Sequence, residues 1–505
     1  MDNKQFTSEL EQLLKYINTY ATDFYNLSSF RDIKKIKSIG KTNFLNKCHE
    51  GFKLAQEKIV NNILFVENEL IIICEEHKQF IKNKHKKDLK KDLNFIKICT
   101  DINFLKTQIS TFKEVANMIA WTIIGFQRTT VKSFIQKDGN SGYLKDKDIK
   151  SSIEIAKEIN KNENEFALIC DITSVLNLGD LLVKRKGHFE IIEIKQDGKI
   201  NNIILDILNS DDHKKNEESV KILHSESKKH GIKNLLRVIR QYKRALNLIQ
   251  YIEKEEAYDY NFNMPKKAIN IITPEKNNCK LLNKNLEYLY ENKKEEIIFL
   301  MDCLIVRICR LDARGNGLSN QLNFKHHIYH IIKKPWEECQ YGNIKENDID
   351  NNFIPELAYY MKYQIYSLKD SIHILSHKPL FSLLKDKYSI DLLTDIISID
   401  FYFDVNIFLD KCKKYKLRIA AVDRKSAKHI LKSIDERSIP FFNNKLLVYD
   451  QGEQKLIFSK GLFFRLVYEL QTSESLIKQI KEQFLISESP RLYKLFKLKK
   501  DIIVS

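Results

Sequence analysis

From the N-terminal segment to about residue 130, apolar residues recur at helical spacing, Lys and Glu fill the alternate faces, and no proline interrupts. That period aligns side chains in a stripe along an α-helix, so the stretch is predicted to be helical. The sequence GNSG at 139–142 marks the first break. A short helix over Ser151–Asn160 and an apolar run over Phe166–Val175 follow. Gly179–Lys186 and Phe189–Lys195 then alternate like half-buried strands around a turn at Arg185–His188, which predicts a hairpin. A polar stretch near 209–231 reads as a surface insertion, Lys233–Glu253 as an amphipathic helix, and Ala268–Thr273 as a further strand. The helical pattern is expected to return from 276 to about 415. Leu417–Val422, Lys445–Tyr449, Lys455–Phe458 and Gly461–Leu466 read as strands with helices between and after them.

The expected fold is therefore mixed α/β and helix-rich. An N-terminal helical domain spans 1–140, an αβββαβ core 150–275, a helical region 276–415 and a C-terminal α/β module 416–505. A length of 505 residues is ample for about three domains or more and for a core without disulfide staples. The low counts of Gly (14) and Pro (7) agree with long elements and few tight turns.

A formal charge of +17 changes the picture of the surface, since it attracts phosphate backbones. Lys, Ile and Asn are abundant throughout, so part of that charge is compositional, and an anionic membrane surface would be attracted as well. Lys82, Lys84, Lys86, Lys87, Lys90 and Lys91 form a basic stretch of the kind usually found on a solvated helix face. The nine cysteines are scattered without a CxxC pair, which predicts neither a disulfide framework nor a zinc ribbon. The polar start and the short or interrupted apolar runs (Ala116–Phe126, Ile297–Cys309) predict a cytoplasmic protein without a membrane span.

The hairpin carries the candidate chemistry. On a strand, Glu193 and Lys195 project to one face roughly 6–7 Å apart. Asp180 opens the preceding strand, where antiparallel pairing can bring its carboxylate beside Glu193. Two carboxylates suit Mg²⁺ or Mn²⁺, and the ammonium suits a water or a developing phosphoryl charge.

These residues, Gly179-Asp180 and, after twelve intervening positions, Glu193-Ile194-Lys195, resemble the signature of the PD-(D/E)xK nuclease superfamily. Its shared core runs helix, three strands, helix, strand, the order read above for 150–275. The resemblance implies a metal-dependent nuclease, endonuclease ahead of exonuclease and DNA ahead of RNA, in prokaryotic defence or restriction. It implies Asp180, Glu193 and Lys195 as catalytic residues, with Asp180 and Glu193 on the metal. A further metal carboxylate is expected on the first core helix, Glu158 ahead of Glu154. Gln241 is expected at the active-site edge, and Arg237, Arg240 and Arg244 on the same helix side are expected to grip nucleic acid. Gly179 stands where the eponymous proline would be. A homo-oligomer or an accessory defence protein is the further partner expected. The alternatives are a catalytically silent nucleic-acid-binding protein on the same fold, or a helical interaction scaffold.

Other motifs point nowhere so specific. His326-His327-Ile328-Tyr329-His330 lacks the glutamate of a zinc protease helix, and Gly315-Asn316-Gly317 is too sparse for a phosphate loop. The tail resembles half of a phospholipase-D-type site at Lys445 and Asp450, but Asn443 occupies the nucleophilic histidine's position, so a packing or binding module is expected there.

Overall fold

The computed structural model describes residues 1–27, 32–83, 89, 92–126, 144, 149–176, 179–185, 188–192, 256–259, 264–267, 275–311, 365–373, 378–417, 419–423, 445–451, 454–458, 460–487 and 501–504. They fall into two compact units, Met1–Ala268 and Ile269–Ser505.

The first unit starts with α1 (Asn3–Leu14), whose first turn is capped by the Asp2 carboxylate accepting from Gln5 N–H. A π-helical turn (Lys15–Thr19), α2 (Tyr20–Phe24) and α3 (Ile33–Ile39) lead into α4 (Lys41–Asn83). At 43 residues, α4 is about 65 Å long. It packs along α5 (Leu93–Ile123), which is capped by Asp92. The apolar period read in the sequence is the seam: Phe52, Ile59, Ile63 and Val66 of α4 and Phe112, Val115 and Ile119 of α5 are all buried. Phe6 of α1 meets Phe112 edge-on at 5.4 Å. Gly51 has no Cβ because one would lie 2.3 Å from the Tyr16 carbonyl, so the π turn can lie directly against α4.

α6 (Ile149–Ile159) matches the expected helix to within two residues and buries Ile149, Ser152 and Ala156. It packs on an antiparallel sheet of order β1 (Glu165–Ile169), β2 (Leu181–Arg185), β3 (His188–Ile192). The expected strand over Phe166–Val175 is shorter, because the chain turns into a 3₁₀ segment at Cys170–Ile172. A small hairpin, β4 (Glu256–Asp259) and β5 (Met264–Lys267), was not expected. The expected helix Lys233–Glu253 and strand Ala268–Thr273 lie outside the described residues.

In the second unit the expectation of a helical region over 276–415 needs correction. After α7 (Cys279–Glu291), the chain forms an antiparallel sheet of order β6 (Glu296–Met301), β7 (Leu304–Arg310), β9 (Ile397–Phe403), β8 (Ile365–Ser367). β7 is buried from Leu304 to Cys309 and β9 almost throughout; β7 reads as an apolar run broken by Arg307, while β9 alternates over Ile397, Ile399, Phe401 and Phe403, a strand signal that the helical expectation overlooks. Asp302, which interrupts the run in sequence, sits in the β6–β7 turn at φ +62°. α8 (Asp386–Leu393) precedes β9, and α9 (Val405–Lys414) follows it.

A second sheet has the order β10 (Ile419–Asp423), β11 (Lys445–Gln451), β12 (Gln454–Phe458), β13 (Asp501–Val504), with the last pair parallel. The first three match expected strands. The strand expected at Gly461–Leu466 is instead a helix, α10 (Lys460–Val467), and α11 (Ser473–Ser487) comes after it. Leu462, Phe463, Leu466 and Val467 are buried, and a helix apolar on most sides gives the same continuous run as a strand.

Candidate functional site

β2 is the central strand of its sheet, and Asp180 stands immediately before it. The Asp180 N–H donates to the Ile192 carbonyl at 2.9 Å, and its carbonyl accepts from Cys170 N–H at 2.9 Å. Both neighbouring strands thus hold the Asp180 backbone, while its side chain lies at the partly exposed end of the sheet. Leu181, Leu182 and Val183, directly behind it, are fully buried. The hairpin pairs Arg185 with His188 and Leu181 with Ile192, as the alternating pattern predicted.

Gly179, in the position of the eponymous proline, has φ +74°. Proline is locked near −65° and cannot take that conformation, so the departure from the resembled motif has a backbone cause here.

Glu158 and Glu154 lie on α6. Glu158 is exposed and ion-paired with Lys161 at 2.5 Å. The adjoining Asn160 side chain is bonded to the Ala167 backbone at 2.8 Å and 3.3 Å. This ties the end of α6 to mid-β1, about 10 Å along the strand from Cys170 and Asp180. Glu158 thus sits near the end of α6 that leads into β1, and Glu154 lies one helical turn earlier. Glu193, Lys195, Arg237, Arg240, Gln241 and Arg244 lie outside the described residues. Among the described residues no group of three His, Cys, Asp or Glu could hold a metal ion.

Two side chains not singled out in the sequence support this sheet. Gln56 of α4 donates to the Ala167 carbonyl at 3.0 Å and accepts from Ile169 N–H at 2.9 Å. With Asn160 it occupies the outer edge of β1. The available clue is a glutamine within an apolar stripe, between the buried Phe52, Ala55 and Ile59.

The helix-facing side of the sheet is aromatic and basic. His49 of α4 stacks on Phe166 with ring centroids 5.6 Å apart. Burial, reinforced by the positive charges of Lys184 and Lys53, pushes its imidazole pKa down to about 4.

No family model, curated protein or solved structure matches this chain. The described helices include none long and apolar enough to cross a membrane, and the described cysteines are all free thiols.

Proposed function

We propose that this chain is a Mg²⁺- or Mn²⁺-dependent nuclease that hydrolyses phosphodiester bonds, in DNA ahead of RNA, at the Asp180 end of the β1–β2–β3 sheet. What supports the reading is the hold on Asp180 at the end of the central strand, where its backbone bonds to Ile192 of β3 on one side and to Cys170, just past β1, on the other, with Glu193 following β3 directly in the chain. In the sequence pattern Lys195, two residues on, alternates to the same face as Glu193.

In this reading Asp180 and Glu193 hold the metal through oxygen donors. When bound, the metal supplies a more acidic water and offsets charge developing on the phosphoryl group. Lys195 orients the water or stabilises that charge, and Gln241 lines the edge. Arg237, Arg240 and Arg244 grip flanking phosphates. A role in restriction or defence follows from the resemblance alone.

The test is cleavage of plasmid and linear DNA, and of RNA, with Mg²⁺ or Mn²⁺, wild type beside Asp180→Ala and Lys195→Ala. Cleavage that disappears in EDTA and falls at least a hundredfold in both variants is expected. Nucleic-acid binding with neither metal binding nor cutting would instead favour the catalytically silent binding protein.

A further inference from the structure

The bond that holds Asp180 from the β1 side is made just beyond the end of that strand. β1 ends at Ile169, and the Cys170 N–H that donates to the Asp180 carbonyl at 2.9 Å opens the loop to β2. Bonds at the end of a ladder open more readily than those within it, so this hold depends on how the loop itself is fixed. The loop turns at once into the 3₁₀ segment Cys170–Ile172. The Cys170 carbonyl accepts from the Thr173 N–H at 2.9 Å and from the Thr173 hydroxyl at 2.8 Å. The Leu176 N–H donates to that same hydroxyl at 3.1 Å.

From outside, α5 fixes this turn at Ser174. Asn117, 57 residues away in the chain, accepts from the Ser174 N–H at 2.9 Å through its Oδ1. Its Nδ2 donates to the Ser174 hydroxyl at 2.6 Å and to Glu114 Oε2, one helical turn back, at 2.9 Å. Asn117 is 3% exposed, and Glu114 and Thr173 are buried as well. Val115, Ala116, Ile119 and Ala120 around it in the helix are apolar and fully buried, so an amide is tolerable there only with its polar groups paired. Glu114 takes one amide hydrogen, which leaves Oδ1 to meet the Ser174 backbone and sets the orientation of the amide. Asparagine supplies an acceptor and two donors at this spot, whereas an ionised aspartate supplies acceptors alone.

We infer, resting on the nuclease reading for what Asp180 does, that Asn117 is a positioning residue for Asp180. By pinning the β1–β2 loop at Ser174 it keeps the Cys170–Asp180 bond closed, and with it the placement of the carboxylate-bearing residue. A metal-binding carboxylate keeps its aim only when the groups behind it are fixed by hydrogen bonds of their own. The N-terminal helices thereby take part in the site from a distance, through α5, and touch neither metal nor substrate at this point.

The test compares the full-length wild type with Asn117→Asp, Ser174→Ala and, as a control for lost stability alone, Leu10→Ala, a truncation of a fully buried side chain in α1. Asn117→Asp keeps the shape but sets a second carboxylate against Glu114 and removes the donor to Ser174. Hydrogen exchange in EDTA, read by mass spectrometry over residues 170–181, reports the loop without any need for catalysis. Mn²⁺ titration and the kinetics of plasmid cleavage report Asp180 itself, at a temperature where every variant is folded. Loop exchange should speed up by about tenfold or more in Asn117→Asp and Ser174→Ala, whereas in Leu10→Ala the loop should change no more than the rest of the first unit. In the same two variants Mn²⁺ should bind more weakly and kcat should fall about ten- to a hundredfold, with KM for DNA nearly unchanged. Leu10→Ala should move neither quantity. Unchanged loop exchange in both variants would overturn the proposal, as would unchanged Mn²⁺ affinity and kcat in variants whose loop is loosened. If the wild type neither binds Mn²⁺ nor cleaves, the nuclease reading fails and takes the catalytic purpose with it, and exchange alone decides whether Asn117 fixes Asp180. Should Asn117→Asp fail to fold, Ser174→Ala, which keeps the backbone bond and loses the hydroxyl contact, carries the same comparison.

Discussion

At Gly179 the backbone takes φ +74°, and an added Cβ would lie 2.4 Å from Ile191 Cγ2 and 3.2 Å from the Ile192 carbonyl oxygen. An alanine there meets two costs, the left-handed backbone and a collision with the hairpin partner. Gly179→Ala should lower unfolding stability by about 1–3 kcal/mol, and Gly179→Pro by more, because proline cannot take the angle at all. Urea denaturation checks this, and an unchanged midpoint in Gly179→Ala would contradict it. Because Asp180 follows directly, any catalytic loss in the same variant should exceed the stability loss at temperatures where the protein stays folded. The glycine was visible in the sequence as a departure from the resembled motif. Its cause was not, since a φ angle is set by how closely β3 passes.

The elements show where one-dimensional reading suffices. The β2–β3 hairpin was legible from the glycine-containing turn between two strand-like runs, since burial itself does not alternate: Leu181, Leu182 and Val183 are all buried and β3 is half-buried along most of its length. Helix α4 was legible from its buried stripe, and α5 from the stripe in its first half, although over Thr111–Asn117 it is buried on every side. Strand β7 was misread as helix because burial on both faces removes the alternation, its β-branched residues being the remaining clue, whereas β6 is a partly exposed edge strand of mostly apolar residues and β9 does alternate at Ile397, Ile399, Phe401 and Phe403. Helix α10 was misread in the opposite direction for the same reason as β7. Of the candidate site, the placement of Asp180 and the hairpin behind it follows from the sequence. The support of β1 by Gln56 joins residues more than a hundred positions apart, which no local pattern reveals. Replacing Gln56 with Met keeps the volume and removes both bonds. Asn160 still reaches the Ala167 carbonyl, but the buried Ile169 N–H loses its acceptor. A loss of about 1–3 kcal/mol is expected from chemical denaturation. A neutral result would mean that water or another group replaces the amide.

Each unit buries one titratable group whose linkage to folding differs in sign from the other's. In the first unit, His49 is held neutral down to about pH 4, whereas an exposed histidine takes its proton near 6.5. Between those values the unfolded chain binds a proton that the native state refuses, so stability falls as pH drops from about 6.5 to 4. In the second unit, Asp400 of β9 is 2% exposed, opposite Arg307, whose Nη1 lies 3.8 Å away. Burial pushes the Asp400 pKa up to about 6, against the opposing pull of the Arg307 charge and a hydrogen bond from Ser398. Here the native state keeps a proton that the unfolded chain releases near 3.8. Stability is therefore gained as pH falls from about 6 to 4 and lost as pH rises through 6. Each effect is on the order of 3 kcal/mol. Calorimetry between pH 4 and 7 should resolve components that shift in opposite directions, with His49→Gln flattening one and Asp400→Asn the other. The variants make the assignment, since the net charge of +17 adds a common trend that neither substitution removes. If neither variant alters the pH dependence, the burial of these two groups does not govern acid stability, and the general charge of the chain does.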